Sequence, residues 1–173
     1  MKKFLYVLII ASIFFSIMPV KGEAKSYNGN DVVNIAKEYT GVPYKFGGTT
    51  TSGFDCSGYT SYVFKQVGIS LPRTAAEQYK VGTAVSKSNL QPGDLVFFQG
   101  SASRAIGHVG IVVSVDKENN TFKFMHAANR GVIIDDFAKA SYYIRRYVGA
   151  KRILGEISAS KYNHNNENNN TKI

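Results

Sequence analysis

The chain has 173 residues, of which 44% are hydrophobic and 19% charged, so it can build one packed domain and is not globally disordered. It contains one cysteine, which excludes an intrachain disulfide and any metal site built from a cysteine cluster. The formal net charge is +9 at pH 7, which favours a polyanionic partner or surface.

The N-terminus has the pattern of an export signal. Met1-Lys2-Lys3 precedes a mostly apolar run over 4–20, and Gly22-Glu23-Ala24 supplies small residues at a cleavage position. We therefore expect residues 1–24 to be a signal peptide cleaved after Ala24. A second candidate site follows Val20-Lys21-Gly22, and an uncleaved membrane anchor is the alternative. Since no cysteine lies near either site, no lipid anchor is predicted.

Export would make the mature domain, residues 25–157, a secreted or cell-envelope protein associated with the wall. Its remaining positive charge would meet anionic cell-wall polymers and lipid headgroups, and export makes nucleic acid a poor candidate, so we expect none as a partner. Cleavage would leave no stable membrane span. Residues 158–173 are Asn-rich with almost no apolar side chains, and we predict a disordered tail there.

The first half of the domain is predicted to be helical. Helices are predicted over 30–40, from Asp55 to the residue before Gly68, and from Thr74 to Gly82. Asp55 is an N-cap residue type, and Thr74 and Glu77 have the spacing of a capping box. A loop rich in Gly and Thr joins the first two helices over 41–53.

The second half changes to the period of two that is typical of strands. A turn centred on Pro92 and Gly93 precedes the first of them. Strands are predicted over 95–98, 108–115, 121–128, 132–134 and 143–154. Helices followed by an antiparallel sheet predict an α+β fold, with N-terminal helices packed on a C-terminal sheet.

Cys56 is a candidate nucleophile because it lies at the predicted start of the second helix, directly after Asp55. Unpaired N–H groups and a partial positive charge at a helix start stabilise a thiolate and later an oxyanion. Gly53 and Gly58 would allow backbone or substrate to approach closely. From position alone, Cys56 is equally well a small buried side chain on the apolar stripe of the helix.

Two histidines favour the catalytic interpretation. His108 begins one predicted strand and His126 lies near the end of the next, so antiparallel pairing would bring them roughly across from each other. One imidazole would act as base for the thiol and the second would orient the first. Each alone is equally consistent with a half-buried strand residue, and His164 lies in the predicted tail. Two histidines and one cysteine lack a carboxylate at ligand spacing, so we predict neither a zinc site nor a cofactor.

The chain resembles the NlpC/P60 family of cell-wall cysteine peptidases over residues 33–154. The motifs, in the order of the family, are Gly41-Val42-Pro43-Tyr44-Lys45-Phe46-Gly47-Gly48, Phe54-Asp55-Cys56-Ser57-Gly58-Tyr59, Leu71-Pro72-Arg73-Thr74-Ala75, Leu90-Gln91-Pro92-Gly93-Asp94-Leu95-Val96-Phe97-Phe98, Gly107-His108-Val109-Gly110-Ile111 and Met125-His126-Ala127. Each motif alone is weak, and the ordered set carries the resemblance. It implies a papain-like fold and an enzyme.

The resemblance also implies roles for individual residues. The catalytic residues it implies are the nucleophile Cys56, the general base His108, the third polar residue His126 and the oxyanion-hole residue Tyr44. Asp55 and Ser57 would bind the substrate peptide near the scissile bond, although Asp55 also suits a helix cap alone. Tyr44 also suits a packed loop position. Arg73 would meet a substrate carboxylate or remain solvated.

The implied reaction is hydrolysis of peptidoglycan stem peptides between γ-D-glutamyl and meso-diaminopimelate or lysine, through a thioester on Cys56. An N-acetylmuramoyl-L-alanine amidase on the same fold is the alternative enzyme. A catalytically silent wall-binding module is the alternative outside enzymes. The sequence shows no wall-anchoring repeat, so we expect the basic charge to supply binding to the wall.

Overall fold

The computed structural model describes residues 26–101 and 104–155. The predicted signal peptide with its cleavage site and the predicted disordered tail lie outside the described residues, as do the predicted domain limits at 25 and 157. In the described part of the chain, no helix combines the length and the apolar character that crossing a membrane requires.

The secondary structure runs from helices to strands along the chain. The helices are α1 (Gly29–Glu38), α2 (Cys56–Gln66), α3 (Ala75–Gln78) and α4 (Ser141–Ile144). The strands are β1 (Thr49–Thr50), β2 (Gly53–Phe54), β3 (Thr83–Val85), β4 (Leu95–Gln99), β5 (Ile106–Asp116), β6 (Thr121–Ala128), β7 (Gly131–Asp136) and β8 (Tyr147–Arg152). Short 3-10 helices span Lys87–Asn89 and Phe137–Lys139.

Side-chain caps fix where the first three helices begin. Asn28 and Asp31 form a capping box at α1, so this helix begins one residue earlier than predicted and also ends earlier. Asp55 caps α2 as predicted. Thr74 and Glu77 form the predicted capping box at α3, but this helix stops well short of the predicted end.

The larger sheet has six strands in the order β3-β8-β4-β5-β6-β7, and every neighbouring pair is antiparallel. This arrangement confirms the α+β prediction. The β1–β2 hairpin and strand β3 were not predicted from the sequence. The last predicted strand is wrong at its start, because residues 141–144 form α4 and β8 begins only at Tyr147. The α4 turn packs the ring of Tyr143 against two histidine rings, a tertiary contact that local sequence does not reveal.

Each face of this sheet has its own hydrophobic core. The first core lies between the sheet and helices α1 and α2, which the Tyr59 hydroxyl joins by donating to the Ala36 carbonyl at 3.0 Å. The second core covers the opposite face and consists of Leu90, Val96, Phe98, Val112, Phe122, Phe124, Phe137 and Ala150. The predicted packing of the N-terminal helices on the C-terminal sheet is therefore confirmed, and it brings the start of α2 against β5.

Candidate active site

Cys56 is the first residue of α2, and its side chain is half-buried. Its Sγ lies 3.8 Å from the carbonyl oxygen of Gly107, to which the thiol donates. Gly107 directly precedes His108 in β5, so the predicted nucleophile lies beside the strand that carries the predicted base. The sulfur is not sealed inside the aliphatic core.

The loop that contains Tyr44 is bonded directly to the chain before the cysteine. The peptide groups on either side of Tyr44 bond to the backbone of Phe54 at 2.9 and 3.0 Å. The Asp55 N–H donates to the Gly48 carbonyl at 3.0 Å. A Cβ on Gly58 would lie only 2.0 Å from that same carbonyl oxygen, so the contact between loop and helix requires glycine at this position. Tyr44 is thereby held close to the start of α2.

The two predicted histidines touch. Nε2 of His108 lies 2.8 Å from Nδ1 of His126, and the two rings are nearly perpendicular at 88°. Ile111 pairs with Met125 in the β5–β6 ladder, and the same register places the histidines on a diagonal rather than directly opposite. Gly110 lies between them, and a Cβ there would come within 3.2 Å of the His126 Cβ. The absence of a side chain at Gly110 therefore leaves room for the imidazole.

A carboxylate that the sequence analysis missed extends this pair. Oδ2 of Asp135 lies 3.1 Å from Nε2 of His126, whose side chain is fully buried. Oδ1 of Asp135 accepts from Arg130 at 3.1 Å. The signal was present in the sequence: His126 pairs with Ile133 in β7, and alternation by two puts Asp135 on the face that His126 shares.

This carboxylate sets the tautomer of both rings. A carboxylate can only accept, so Nε2 of His126 carries the proton and its Nδ1 is an acceptor. His108 must then donate its Nε2–H to that Nδ1, which leaves Nδ1 of His108 with a free lone pair. The assignment follows from the hydrogen-bond network of His108, His126 and Asp135. It gives His108 the form that a general base needs.

Both histidines are neutral near pH 7. Burial lowers the pKa of His108 to about 3, and the proximity of His126 adds to the effect. Burial also lowers the pKa of His126 to about 4, although the charge and hydrogen bond of Asp135 act in the opposite direction. The ring of Tyr143 stacks on His108 at 5.5 Å between centroids and helps to exclude water from the pair.

The resting cysteine is a thiol. Burial raises the pKa of Cys56, and the negative charge of Asp55 raises it further. The N–H groups of Val109 and of the helix start at Ser57 lower the pKa, as expected for a helix start, but they are outweighed. The helix start therefore lowers the pKa of Cys56, as the sequence predicted, but by less than burial and Asp55 raise it. The resting pair is a neutral thiol and a neutral imidazole.

Asp55, Ser57 and Arg73 form a second polar group at the start of α2. Arg73 donates from Nη1 to Asp55 Oδ1 and to Ser57 Oγ, both at 3.1 Å, and from Nη2 to Asp55 Oδ2. Burial opposes ionisation of Asp55, but the hydrogen bonds from Arg73 and from the Gly58 N–H hold its pKa below the usual value. Asp55 and Ser57 are buried, and Arg73 is the exposed member of the group.

A cavity of about 910 Å³ opens beside this site. His108 and Tyr44 form part of its wall, and the segments 99–101, 128–130, 135–136 and 139–143 form the rest. The cavity is large enough for a peptide substrate. Within residues 26–101 and 104–155, no group of three His, Cys, Asp or Glu side chains is arranged to hold a metal ion.

Comparison with known proteins places this arrangement in a family. The profile described as "NlpC/P60 family" matches residues 41–152, which include every predicted site residue. The chain belongs to the NlpC/P60 family. This confirms the resemblance drawn from the ordered motifs.

Two relatives and one solved structure illustrate the match to other proteins. A γ-DL-glutamyl hydrolase of Bacillus subtilis is 38% identical over 160 residues, covering 90% of this chain and 37% of the relative. A murein DD-endopeptidase/murein LD-carboxypeptidase of Escherichia coli K12 is 41% identical over 119 residues, covering 68% of this chain and 58% of the relative. The crystal structure of an NlpC/P60 family protein from Bacillus cereus matches with a TM-score of 0.67 at 34% identity, covering 76% of this chain and 42% of that one.

The NlpC/P60 chain described here thus spans less than two thirds of either relative. Its helices packed on a six-stranded antiparallel sheet give it the papain-like fold predicted for this family. Both relatives are hydrolases by name.

Proposed function

We propose that this NlpC/P60 protein is a cysteine peptidase that hydrolyses peptidoglycan stem peptides at the amide bond following a γ-D-glutamyl residue. One observation carries the proposal: the His108 ring lies 2.8 Å from the His126 ring, and His108 directly follows Gly107, whose carbonyl the Cys56 thiol contacts. The murein and γ-glutamyl hydrolases among the relatives support the substrate class.

In the first half of the reaction, the free Nδ1 of His108 takes the proton of Cys56. The thiolate attacks the amide carbonyl carbon, and the carbonyl π electrons move to oxygen to form a tetrahedral oxyanion. When the oxyanion collapses, the C–N bond breaks and the charged His108 protonates the departing amine. A thioester between the γ-carboxyl group and Cys56 remains.

In the second half, a water molecule occupies the place of the amine. His108 removes a proton from this water, and the oxygen attacks the thioester carbonyl. The C–S bond breaks, the acid product leaves, and the proton returns to Cys56. His126 and Asp135 hold the ring of His108 and stabilise its positive charge each time it forms.

Tyr44 suits the role of oxyanion donor. Burial raises its pKa, and the Cys56 thiolate, once formed, and the charge of Asp55 raise it further, so the phenol keeps its proton. Together with the Cys56 N–H it would supply two donors to the oxyanion. The Asp55–Arg73 pair at the start of α2 would contact the acyl half of the substrate.

Export places this activity at the wall. We assign residues 1–24 as the signal peptide from the basic start, apolar run and small residues of the sequence. The positive charge of the chain then holds the enzyme on the anionic wall, an attraction that salt weakens.

A digest of defined muropeptides followed by mass spectrometry tests the assignment. Cleavage after γ-D-glutamate leaves L-Ala–D-Glu on the sugar, whereas an N-acetylmuramoyl-L-alanine amidase leaves a bare lactyl group. Cys56→Ala should abolish hydrolysis while circular dichroism shows an unchanged fold. Equal activity in that variant overturns the proposal. Retained wall binding without any thiol-dependent hydrolysis identifies a binding module instead.

The same digest separates the two histidines. His108→Ala should lower kcat by about 10²- to 10⁴-fold, the usual contribution of a general base. His126→Ala should cost less, because it orients a base and does not act as one. The reverse order would show that the two roles are exchanged.

Hydrolysis of γ-linked glutamate polymers is a second candidate function. The similarity to a γ-DL-glutamyl hydrolase covers 90% of this chain. The net charge of +9, which becomes +7 when residues 1–24 with three Lys and one Glu are removed, suits a polyanionic substrate. Both candidate substrates present a γ-glutamyl carbonyl to the thiol, and they differ in the residue that leaves.

A further inference from the structure

In the proposed mechanism, the cavity beside His108 receives the leaving half of the substrate. His108 must lie next to the departing nitrogen in order to protonate it, so the residue that carries this nitrogen extends into the space on the His108 side. That space is the cavity of about 910 Å³, which is lined by His108 and Tyr143 and bordered by 128–130 and 139–142. The side chains along this border therefore select the leaving residue. This reasoning rests on the proposed function.

The acidic side chains of this cavity are already engaged. Asp135 accepts from His126 and from Arg130, and it is only 21% exposed. Asp136 accepts the backbone N–H of Ala138 at 3.0 Å and is 26% exposed. Asp135 has both oxygens hydrogen-bonded, whereas Asp136 has one oxygen bonded to Ala138 and the other 3.9 Å from the Lys139 ammonium.

The basic side chains of the same cavity project into solvent. Arg130 is 72% exposed while it touches Asp135 with one nitrogen, so the rest of its guanidinium remains available. Lys139 is 85% exposed, and its Nζ lies 3.9 Å from Asp136, too far for a hydrogen bond. The charges that an incoming ligand meets first are therefore two cations.

We propose that Arg130 and Lys139 form a carboxylate-binding subsite for the residue that leaves from the scissile bond. A carboxylate can accept two N–H groups from the guanidinium and one from the ammonium. Lysine offers an ammonium alone in that place and meets like charges, whereas the side chain of diaminopimelate carries a carboxylate beside its ammonium. The subsite selects a diaminopimelate, which has a second carboxylate, or a γ-linked glutamate, which has a free α-carboxylate, over lysine.

Four substrates with a common acyl half distinguish these chemistries. They are L-Ala–γ-D-Glu linked to meso-diaminopimelate, to diaminopimelate with its side-chain carboxyl amidated, to L-lysine, and to a γ-linked glutamate chain, with the α-carboxyl of the diaminopimelate and lysine residues joined to D-Ala so that it carries no charge. For the amidated and lysine peptides, we expect kcat/KM to be about threefold to fivefold lower for each ionic contact that is lost. The loss should appear mainly as a higher KM. The preference should shrink as salt is raised. Comparison of diaminopimelate with γ-glutamate identifies which carboxylate the subsite prefers.

Lys139→Gln is the informative variant, because Lys139 makes no hydrogen bond within the site. It should reduce the preference for carboxylate peptides by about threefold to fivefold, while Lys117→Gln, a matched charge loss in the β5–β6 turn, leaves it unchanged. Calorimetric binding of the same four peptides to Cys56→Ala protein measures the preference without turnover.

The outcomes separate the subsite from the reaction. Hydrolysis and binding that both favour carboxylate peptides, and depend on Lys139, support the subsite. Hydrolysis of all four peptides at equal kcat/KM overturns the subsite and leaves the peptidase assignment standing. Preferential binding without any hydrolysis supports the subsite and overturns the assignment. An equal effect of Lys117→Gln overturns the subsite, since it would show a general charge effect.

Discussion

Replacement of Asp135 by asparagine tests whether the carboxylate behind His126 sets the state of the base. The side chain keeps its size but loses its charge and its restriction to accepting hydrogen bonds. An amide can donate its N–H₂ to Nε2 of His126, which would move the proton of that ring to Nδ1. His108 would then have to accept at Nε2 and carry its proton on Nδ1, the atom that must receive the proton of Cys56.

The expected loss follows from the contact that is removed. A hydrogen bond to a charged group contributes about 1.5 to 3 kcal/mol. Because Asp135 is 21% exposed and therefore partly screened, we expect a loss near the lower end of that range. Since about 1.4 kcal/mol corresponds to a factor of ten, kcat should fall roughly tenfold, and by less than in His108→Ala. The loss should be in kcat, because the proton is moved after the substrate binds.

Steady-state kinetics on a muropeptide across pH is the assay. Asp135 raises the pKa of His126, so its removal should shift the acid limb of the rate profile to lower pH. Asp116→Asn is a matched control, since among the described residues that exposed carboxylate accepts only from the neighbouring turn, at Asn119 and the Glu118 backbone. Arg130→Gln separates the two partners of Asp135 and should change KM more than kcat. An Asp135→Asn enzyme with the parent kcat, or with an acid limb moved upward, would refute the tautomer argument.

Three further predictions concern pH and packing. Because burial lowers the pKa of His108 to about 3, the base stays neutral in acid, and the acid limb of kcat/KM should lie well below pH 6.5; a limb at or above 6.5, measured with activity that recovers at neutral pH, would contradict this. His108 and His126 both have lower pKa values in the folded than in the unfolded chain, so the unfolded chain takes up protons first as the pH falls. The urea concentration at the unfolding midpoint should therefore be lower at pH 5 than at pH 7, and His126→Gln should reduce this difference. A parent protein with the same midpoint at both pH values would contradict the prediction. Gly58→Ala should destabilise the fold by about 1 to 3 kcal/mol and lower Tm, because the added methyl group would lie 2.0 Å from the Gly48 carbonyl oxygen. An unchanged Tm would show that the loop does not pack closely against the helix.

Local sequence rules account for much of the fold. Asp55 and the Thr74–Glu77 pair marked two helix starts because capping depends on neighbours within one turn. Strands β4 to β7 were visible as apolar runs. Strand β3 was not, because it has only three residues, none of them buried, and pairs only with β8 at the sheet edge. The strand predicted from Tyr143 failed because that ring packs on the histidines, a contact made across the fold.

The candidate site divides in the same way. Cys56, His108 and His126 could be selected from residue type and position in their elements. Asp135 was within reach of the period-two pattern of β7 and was overlooked. The ion pair of Arg73 with Asp55 joins a loop to a helix cap eighteen positions away, and no local pattern specifies such a contact.

The protonated resting state of Cys56 has a consequence for reagents that attack sulfur. Alkylating agents and peroxides react with the thiolate, so a raised pKa slows both. We therefore expect slow oxidation of this residue, which is the only cysteine in the chain. A small electrophile such as iodoacetamide should label it slowly at neutral pH. An effective covalent inhibitor therefore needs a peptide portion that fills the cavity beside His108 and holds the electrophile where His108 can deprotonate the sulfur.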